Sequence, residues 1–146
     1  MPHGTRIWLT SDHGMVNASE KIIIGHDNPL LEGVAVIGGE PRARHLYLSP
    51  DNDSVSARSE LASRWAEYLG EKATVLTREE AITTKLFGDE VSADALDRMG
   101  EVIAIAQSGV VLLDPERAEK EAAMVGHHGG DSEIESEVGL LTTTLS

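Results

Sequence analysis

The sequence predicts an α/β protein in which two short arms, residues 1–32 and 115–146, flank a compact α+β unit over residues 33–114. Three features predict it. Apolar runs of strand length recur along the chain, helix-capping patterns fall between them, and the arms carry strands and loops with little nearby sequence to bury them. With 146 residues, 40% of them apolar, there is material for one domain with a core, or for one domain and a piece of another.

Arg6-Ile7-Trp8-Leu9-Thr10 reads as a strand that stops at the polar tetrapeptide Ser11-Asp12-His13-Gly14. In open α/β sheets that strand end is where ligands bind. After Asn28-Pro29, the runs Val34 to Ile37 and His45 to Leu48 read as two strands of a hairpin, separated by Gly38-Gly39-Glu40-Pro41. Asp51 to Ser54 offer N-caps for a helix whose Val55, Leu61, Ala62, Trp65 and Leu69 share one face and which stops at Gly70. Trp65 on that face is expected in the core.

Ala73 to Leu76 reads as the next strand, and Thr77 with Glu80 forms a capping box for a helix through about Leu86. A second short helix is expected from Ser92 to Gly100. Val102 to Ala106 and Val110 to Leu113 then flank Gln107-Ser108-Gly109, a pattern that predicts a hairpin with Gly109 at the left-handed position. Leu140 to Thr144 closes the chain as a last strand, with Asp131-Ser132 capping a helical turn before it.

There is no cysteine, so a metal would be held by His and carboxylate, which favours hard or borderline cations. A net charge of −13 argues against nucleic acid polymers, whose phosphate backbone demands Lys and Arg. Small phosphate esters remain compatible, given bound cations to offset the acidity. Most of the 25 acids are expected to solvate the surface. Met1 to Arg6 shows no charged leader followed by an apolar stretch, and no run approaches a membrane span, so a soluble, cytoplasmic protein with no membrane partner is the expectation.

Two clusters carry metal-binding chemistry. Asp12 and His13 sit at a strand end, where a tight turn lets adjacent residues face one cation. His127 and His128 lie in a Gly-rich loop, and neutral imidazole is a common transition-metal ligand. Each has a plainer reading taken alone, as a polar turn or a solvated loop. His26 and His45 have no partner at ligand spacing and read as surface or packed residues. Arg42 and Arg44 offer the planar fork that suits a substrate phosphate, although a salt bridge to one of the many acids is the commoner use of such a side chain.

Taken together, Thr10-Ser11-Asp12-His13-Gly14-Met15 and the later Gly126-His127-His128-Gly129 resemble the C-terminal metal-ligand signature of the alkaline phosphatase superfamily. The 115 residues from His13 to His128 leave room for the inserted subdomain of its type I phosphodiesterase/nucleotide pyrophosphatase branch, and Gly38 to Tyr47 is similar to that branch as well. The resemblance implies that the arms belong to an alkaline-phosphatase-like sheet and the middle unit is the insertion. It further implies that Asp12 and His13 bind one metal and His128 the other, with His127 a neighbour or supporting donor. Two divalent cations, zinc or alternatively manganese, are implied, with a small phosphate ester or nucleotide as substrate.

In that family the Ser or Thr nucleophile, one Asp ligand and an Asp-x-x-x-His pair precede the Asp-His-Gly strand. Nothing from Met1 to Thr10 matches them, so a C-terminal portion, inactive by itself, is expected. Self-association is expected through Ile7 to Leu9 and Val138 to Leu141, strands whose partners in such a sheet are missing. The competing reading is a binding or oligomerisation module with a vestigial metal motif. Phosphatases, mutases and sulfatases of the superfamily share the same strand.

Overall fold

The computed structural model describes residues 1–145. In chain order the elements are β1 (Arg6–Thr10), β2 (Val16–Asn17), β3 (Glu20–Ile23), β4 (Val36–Glu40), β5 (Ala43–Tyr47), α1 (Val55–Leu69), β6 (Ala73–Thr77), α2 (Arg78–Thr83), α3 (Ala93–Leu96), β7 (Val102–Ala106), β8 (Val110–Leu113), α4 (Ala118–Ala123), β9 (Gly126–His127), α5 (Glu133–Ser136) and β10 (Leu140–Thr144). No helix among the described residues is long and apolar enough to cross a membrane.

The centre is a four-stranded antiparallel sheet in the order β4-β5-β7-β6. Alternation along β7 sends Val102, Ala104 and Ala106 into the cluster that holds α1, and Ile103 and Ile105 into a smaller cluster with Ala81 and Met99. Helix α1 begins where the Ser54 hydroxyl accepts from the Ala57 amide, and it ends at Gly70, whose φ of 53° only glycine adopts at little cost. Its Leu61, Trp65 and Leu69 are buried, and the Trp65 indole donates to the Leu30 carbonyl at 2.9 Å, so the polar tip of this core ring is satisfied. The capping box forms as expected: the Thr77 hydroxyl accepts from the Glu80 amide, and the Glu80 carboxylate accepts from Thr77 N.

Element ends differ from the sequence expectation. Strand β4 runs on through Gly38 and Gly39, and the turn is the tight Pro41-Arg42 pair, with Glu40 opposite Ala43. Helix α2 stops at Thr83, before Lys85 turns left-handed at φ 59°, and α3 stops at Leu96. The arms are short pairs: β1 with β10 and β2 with β9, both antiparallel.

The expected β7–β8 hairpin does not form. Strand β7 stays in the central sheet, while β8 pairs in parallel with β3, Glu20 to Ile23 lying against Val110 to Leu113. Ser108, at φ 49°, takes the left-handed position instead of Gly109. Gly109 has another reason to be glycine, because a Cβ there would collide with the Ser19 hydroxyl on the approach to β3.

Two buried arginines explain why β8 turns away. The Arg42 Nη1 donates to the carbonyls of Ser108 and Val110, each at 2.8 Å, and the Arg44 Nε donates to the Leu112 carbonyl at 2.8 Å. Guanidinium groups thus occupy the β8 carbonyls that a hairpin ladder would have used. The Leu112 amide donates back to the Pro41 carbonyl at 2.8 Å. Arg42 and Arg44 are 0% and 1% exposed, and each closes on an acid from the second arm. Arg42 Nε and Nη2 grip Glu135 at 3.0 and 2.7 Å, and Arg44 Nη2 meets Glu121 at 2.5 Å. Glu121 also accepts from the Asp114 amide, so α4 is fastened to the end of β8.

A buried ion pair is stabilising only when its remaining polar atoms are satisfied, and removing one partner strands the other charge. Arg42→Ala is therefore expected to lower unfolding stability by about 3–5 kcal/mol in urea denaturation, with Arg42→Lys recovering little, because an ammonium cannot hold the fork and the turn carbonyls together. A loss below about 1 kcal/mol, the range of an exposed pair, would contradict this.

Glu135 makes a pH prediction. Burial pushes its carboxyl up, but the hydrogen bonds from Arg42, Ser132 and the Gly130 amide, with the Arg42 charge, outweigh burial and hold it at about 2, against 4.5. A depressed carboxyl stabilises the fold above its unfolded pKa and loses that contribution as pH falls from 4.5 toward 2. Roughly 3 kcal/mol should disappear over that window. In Glu135→Gln the acid limb should be correspondingly shallower when stability is measured against pH, and an unchanged limb would contradict the assignment.

Candidate functional site

The Asp12-His13 turn and the His127-His128 loop come from opposite ends of the chain, and the β2–β9 pair brings them together. Val16 lies opposite His127, so the turn just before β2 meets the loop just after β9. Glu135 of α5 then fixes both. Its backbone carbonyl accepts from the Gly14 amide at 2.8 Å, and its carboxylate accepts from the Gly130 amide at 2.9 Å. Gly14 packs so closely on α5 that a Cβ would run into the carbonyl oxygen of Ile134. Glycine here serves close approach.

At the meeting point the imidazoles of His13 and His128 stack, with ring centroids 3.7 Å apart and planes 14° from parallel. The His13 Nδ1 lies 2.7 Å from the Gly14 carbonyl. A carbonyl can only accept, so Nδ1 carries the proton and Nε2 presents its lone pair, the arrangement by which a protein orients a ligating imidazole. The Asp12 Oδ1 is 3.8 Å from that Nε2, a distance that two bonds of about 2.0–2.2 Å to one zinc ion would span. Asp12 is exposed, and its Oδ1 also accepts from the His13 amide at 3.2 Å.

The donor chemistry of Asp12, His13 and His128 suits a borderline cation such as zinc. The set is incomplete: among the described residues, no three His, Asp or Glu side chains converge as a metal cage requires. These residues can therefore contribute to a metal site without closing one.

His127 points elsewhere. It is 3% exposed, and its Nε2 has no hydrogen-bond partner among the described residues. Burial lowers its pKa, against opposing contributions from the Met124 backbone and the Glu121 charge, so this ring stays neutral near pH 7. Arg42 and Arg44, candidates for phosphate contact, spend their donors inside the protein as described. His26 lies 3.3 Å from the Asp27 carboxylate, largely exposed. His45 is half-buried in the central sheet, its Nδ1 accepting from the Gly100 amide at 3.1 Å. Sequence reasoning missed Glu135, the residue that holds both loops. Its only signal is a place five residues beyond Gly130, which does not set it apart from the other acids of that arm.

Residues 2–131 match the type I phosphodiesterase / nucleotide pyrophosphatase family. Among solved structures, human ectonucleotide pyrophosphatase / phosphodiesterase 5 is similar with a TM-score of 0.65 and 16% identity, over 94% of this chain and 33% of that one. Its murine counterpart in complex with AMP gives 0.64 and 19%, over 92% of this chain and 33% of that one. Phosphonoacetate hydrolase from Sinorhizobium meliloti in complex with phosphonoformate gives 0.66 and 22%, over 98% and 37%. At such identities the likeness establishes a shared fold, and the chain spans about a third of the length of the structures it matches. No protein of curated function matches the sequence. The family match covers both the Asp-His-Gly turn and the His-His-Gly loop that the fold draws together, and the chain belongs to the type I phosphodiesterase / nucleotide pyrophosphatase family of the alkaline phosphatase superfamily.

Proposed function

We propose that this chain supplies the C-terminal share of the metal site of a phosphodiesterase or nucleotide pyrophosphatase, with Asp12 and His13 holding one divalent cation and His128 the other. The observation that carries this is the stacked His13–His128 pair with Asp12 at its edge, formed from residues at opposite ends of the chain. Zinc is the cation that best suits this donor set, with manganese second. When bound, such cations supply the positive charge that polarises a phosphoryl oxygen and stabilises the departing one. The chain's own part is to hold the donors. His13 is oriented by the Gly14 carbonyl, and both loops are clamped by Glu135. A small phosphate ester or nucleotide is the proposed substrate, which the AMP complex of the murine relative supports.

The Ser or Thr nucleophile and the remaining ligands implied by the family are not among these 146 residues. The 146-residue chain should thus bind zinc weakly and turn nothing over. Calorimetric titration with zinc is expected to show binding that weakens at least about tenfold in His128→Ala or Asp12→Ala, the lower end of what losing even a group that orients a ligand costs. A nitrophenyl phosphodiester should remain unhydrolysed with zinc or manganese. Turnover that follows the protein through purification and vanishes in Asp12→Ala would overturn the division of the site, and zinc binding indifferent to both substitutions would overturn the ligand assignment.

We also infer self-association, now confined to the β1–β10 ribbon. The two strands pair with each other and yet leave Trp8, Leu9, Leu140 and Leu141 exposed, with an open edge on either side. Sedimentation velocity should show concentration-dependent association, and a strict monomer at high concentration would contradict it.

A further inference from the structure

Beside the metal-ligand loop, two adjoining cavities share His45 and Phe87 as a common wall. The inner one, of about 180 Å³, is floored by Ala43, Ile103 and Ile105 of the central sheet and bounded by Gly129, Gly130 and Asp131, the residues that directly follow His128. The outer one, of about 510 Å³, continues past Val91, Ala95 and Met99 and has Glu90 and Arg98 at its rim. That volume falls within the range of roughly 300–1,000 Å³ found for small-molecule sites.

Phe87 is the only phenylalanine of the chain and is 43% exposed. It stands beside the His45 ring, with centroids 6.1 Å apart and planes at 44°. His45 is committed to one tautomer, because its Nδ1 accepts from the Gly100 amide and the neutral ring must carry its proton on Nε2. Burial, and then the charge of Arg78, lower its pKa and keep it neutral near pH 7. Walls of this kind offer an apolar floor, one aromatic face and one neutral N–H donor, while Glu90 and Arg98 cancel any preference for charge.

We propose that this cleft is a recognition subsite for a flat, uncharged heteroaromatic ring bearing a hydrogen-bond acceptor, which stacks on Phe87 and is oriented by His45. The proposal rests on the phosphodiesterase reading only in naming that ring as part of the substrate left untransferred. It assigns specificity to the middle unit, while the arms hold the metal ligands.

The test is an NMR titration of the metal-free 146-residue chain with adenosine, so that it depends on neither cation binding nor hydrolysis. Adenosine should shift the Phe87 ring and His45 imidazole resonances along with the Gly129, Gly130 and Asp131 amides, saturating as one site. Ribose 5-phosphate, which has the phosphate and lacks the ring, should leave Phe87 and His45 unmoved. Phe87→Ala should weaken adenosine about tenfold, the scale of one lost base-stacking contact, and Phe87→Leu, which keeps the apolar bulk, should do the same. The proposal is overturned if adenosine leaves Phe87 and His45 unshifted, if ribose 5-phosphate shifts them equally, or if Phe87→Leu binds adenosine as tightly as the parent. Failure of zinc binding leaves this result untouched, and the converse also holds, so the two readings fall separately.

Discussion

The buried pair of Arg42 and Glu135 is the constraint on which the site depends. The arms have little apolar surface of their own: β10 is exposed along its whole length and β1 nearly so. Hydrophobic burial therefore cannot place their loops. Glu135 does so with directed bonds, through its carbonyl to Gly14, its carboxylate to Gly130, and the same carboxylate to a guanidinium rooted at the β4–β5 turn. Such bonds have the angular demands that hydrophobic contact lacks, and positioning of metal donors requires those demands.

Arg44 with Glu121 repeats the device one turn of the pleat away. Residues two apart on a strand face the same side, so Arg42 and Arg44 both reach β8, one at the Val110 carbonyl and the other at Leu112. The two pairs tie the central sheet to the second arm, and β8 carries the connection on to the first arm through its parallel partner β3. Strain at this seam is avoided because almost every donor of the two forks has an acceptor, which turns an otherwise costly burial of charge into a fixed registration of parts.

Much of the middle unit was legible because its signals are local. The Ser54 cap, the Gly70 stop and the Thr77–Glu80 box each depend on residues within one turn, and the apolar period of α1 located Trp65 in the core. Strand β3 and its pairing with β8 were not legible, since a parallel partner 90 residues away leaves no mark on either segment. The hairpin expected in its place follows the usual rule for neighbouring strands; long-range guanidinium bonds overrode it. The arginines illustrate the same limit, because a sequence shows that a fork is present and says nothing about whether it opens to solvent. Asp12, His13 and His128 could be singled out by motif, whereas the Phe87–His45 cleft is assembled from elements that no motif links.

The central claim is that Glu135 brings His13 and His128 into contact, and the nuclear Overhauser effect between the two imidazoles measures it most directly. At near-neutral pH without metal, the parent chain should show cross-peaks between the His13 and His128 ring protons. Glu135→Gln keeps the size and removes the charge, and it should lose or strongly weaken those cross-peaks while the amide resonances of α1 and the central sheet stay in place. Cross-peaks absent from the folded parent chain, or undiminished in Glu135→Gln, would contradict the account.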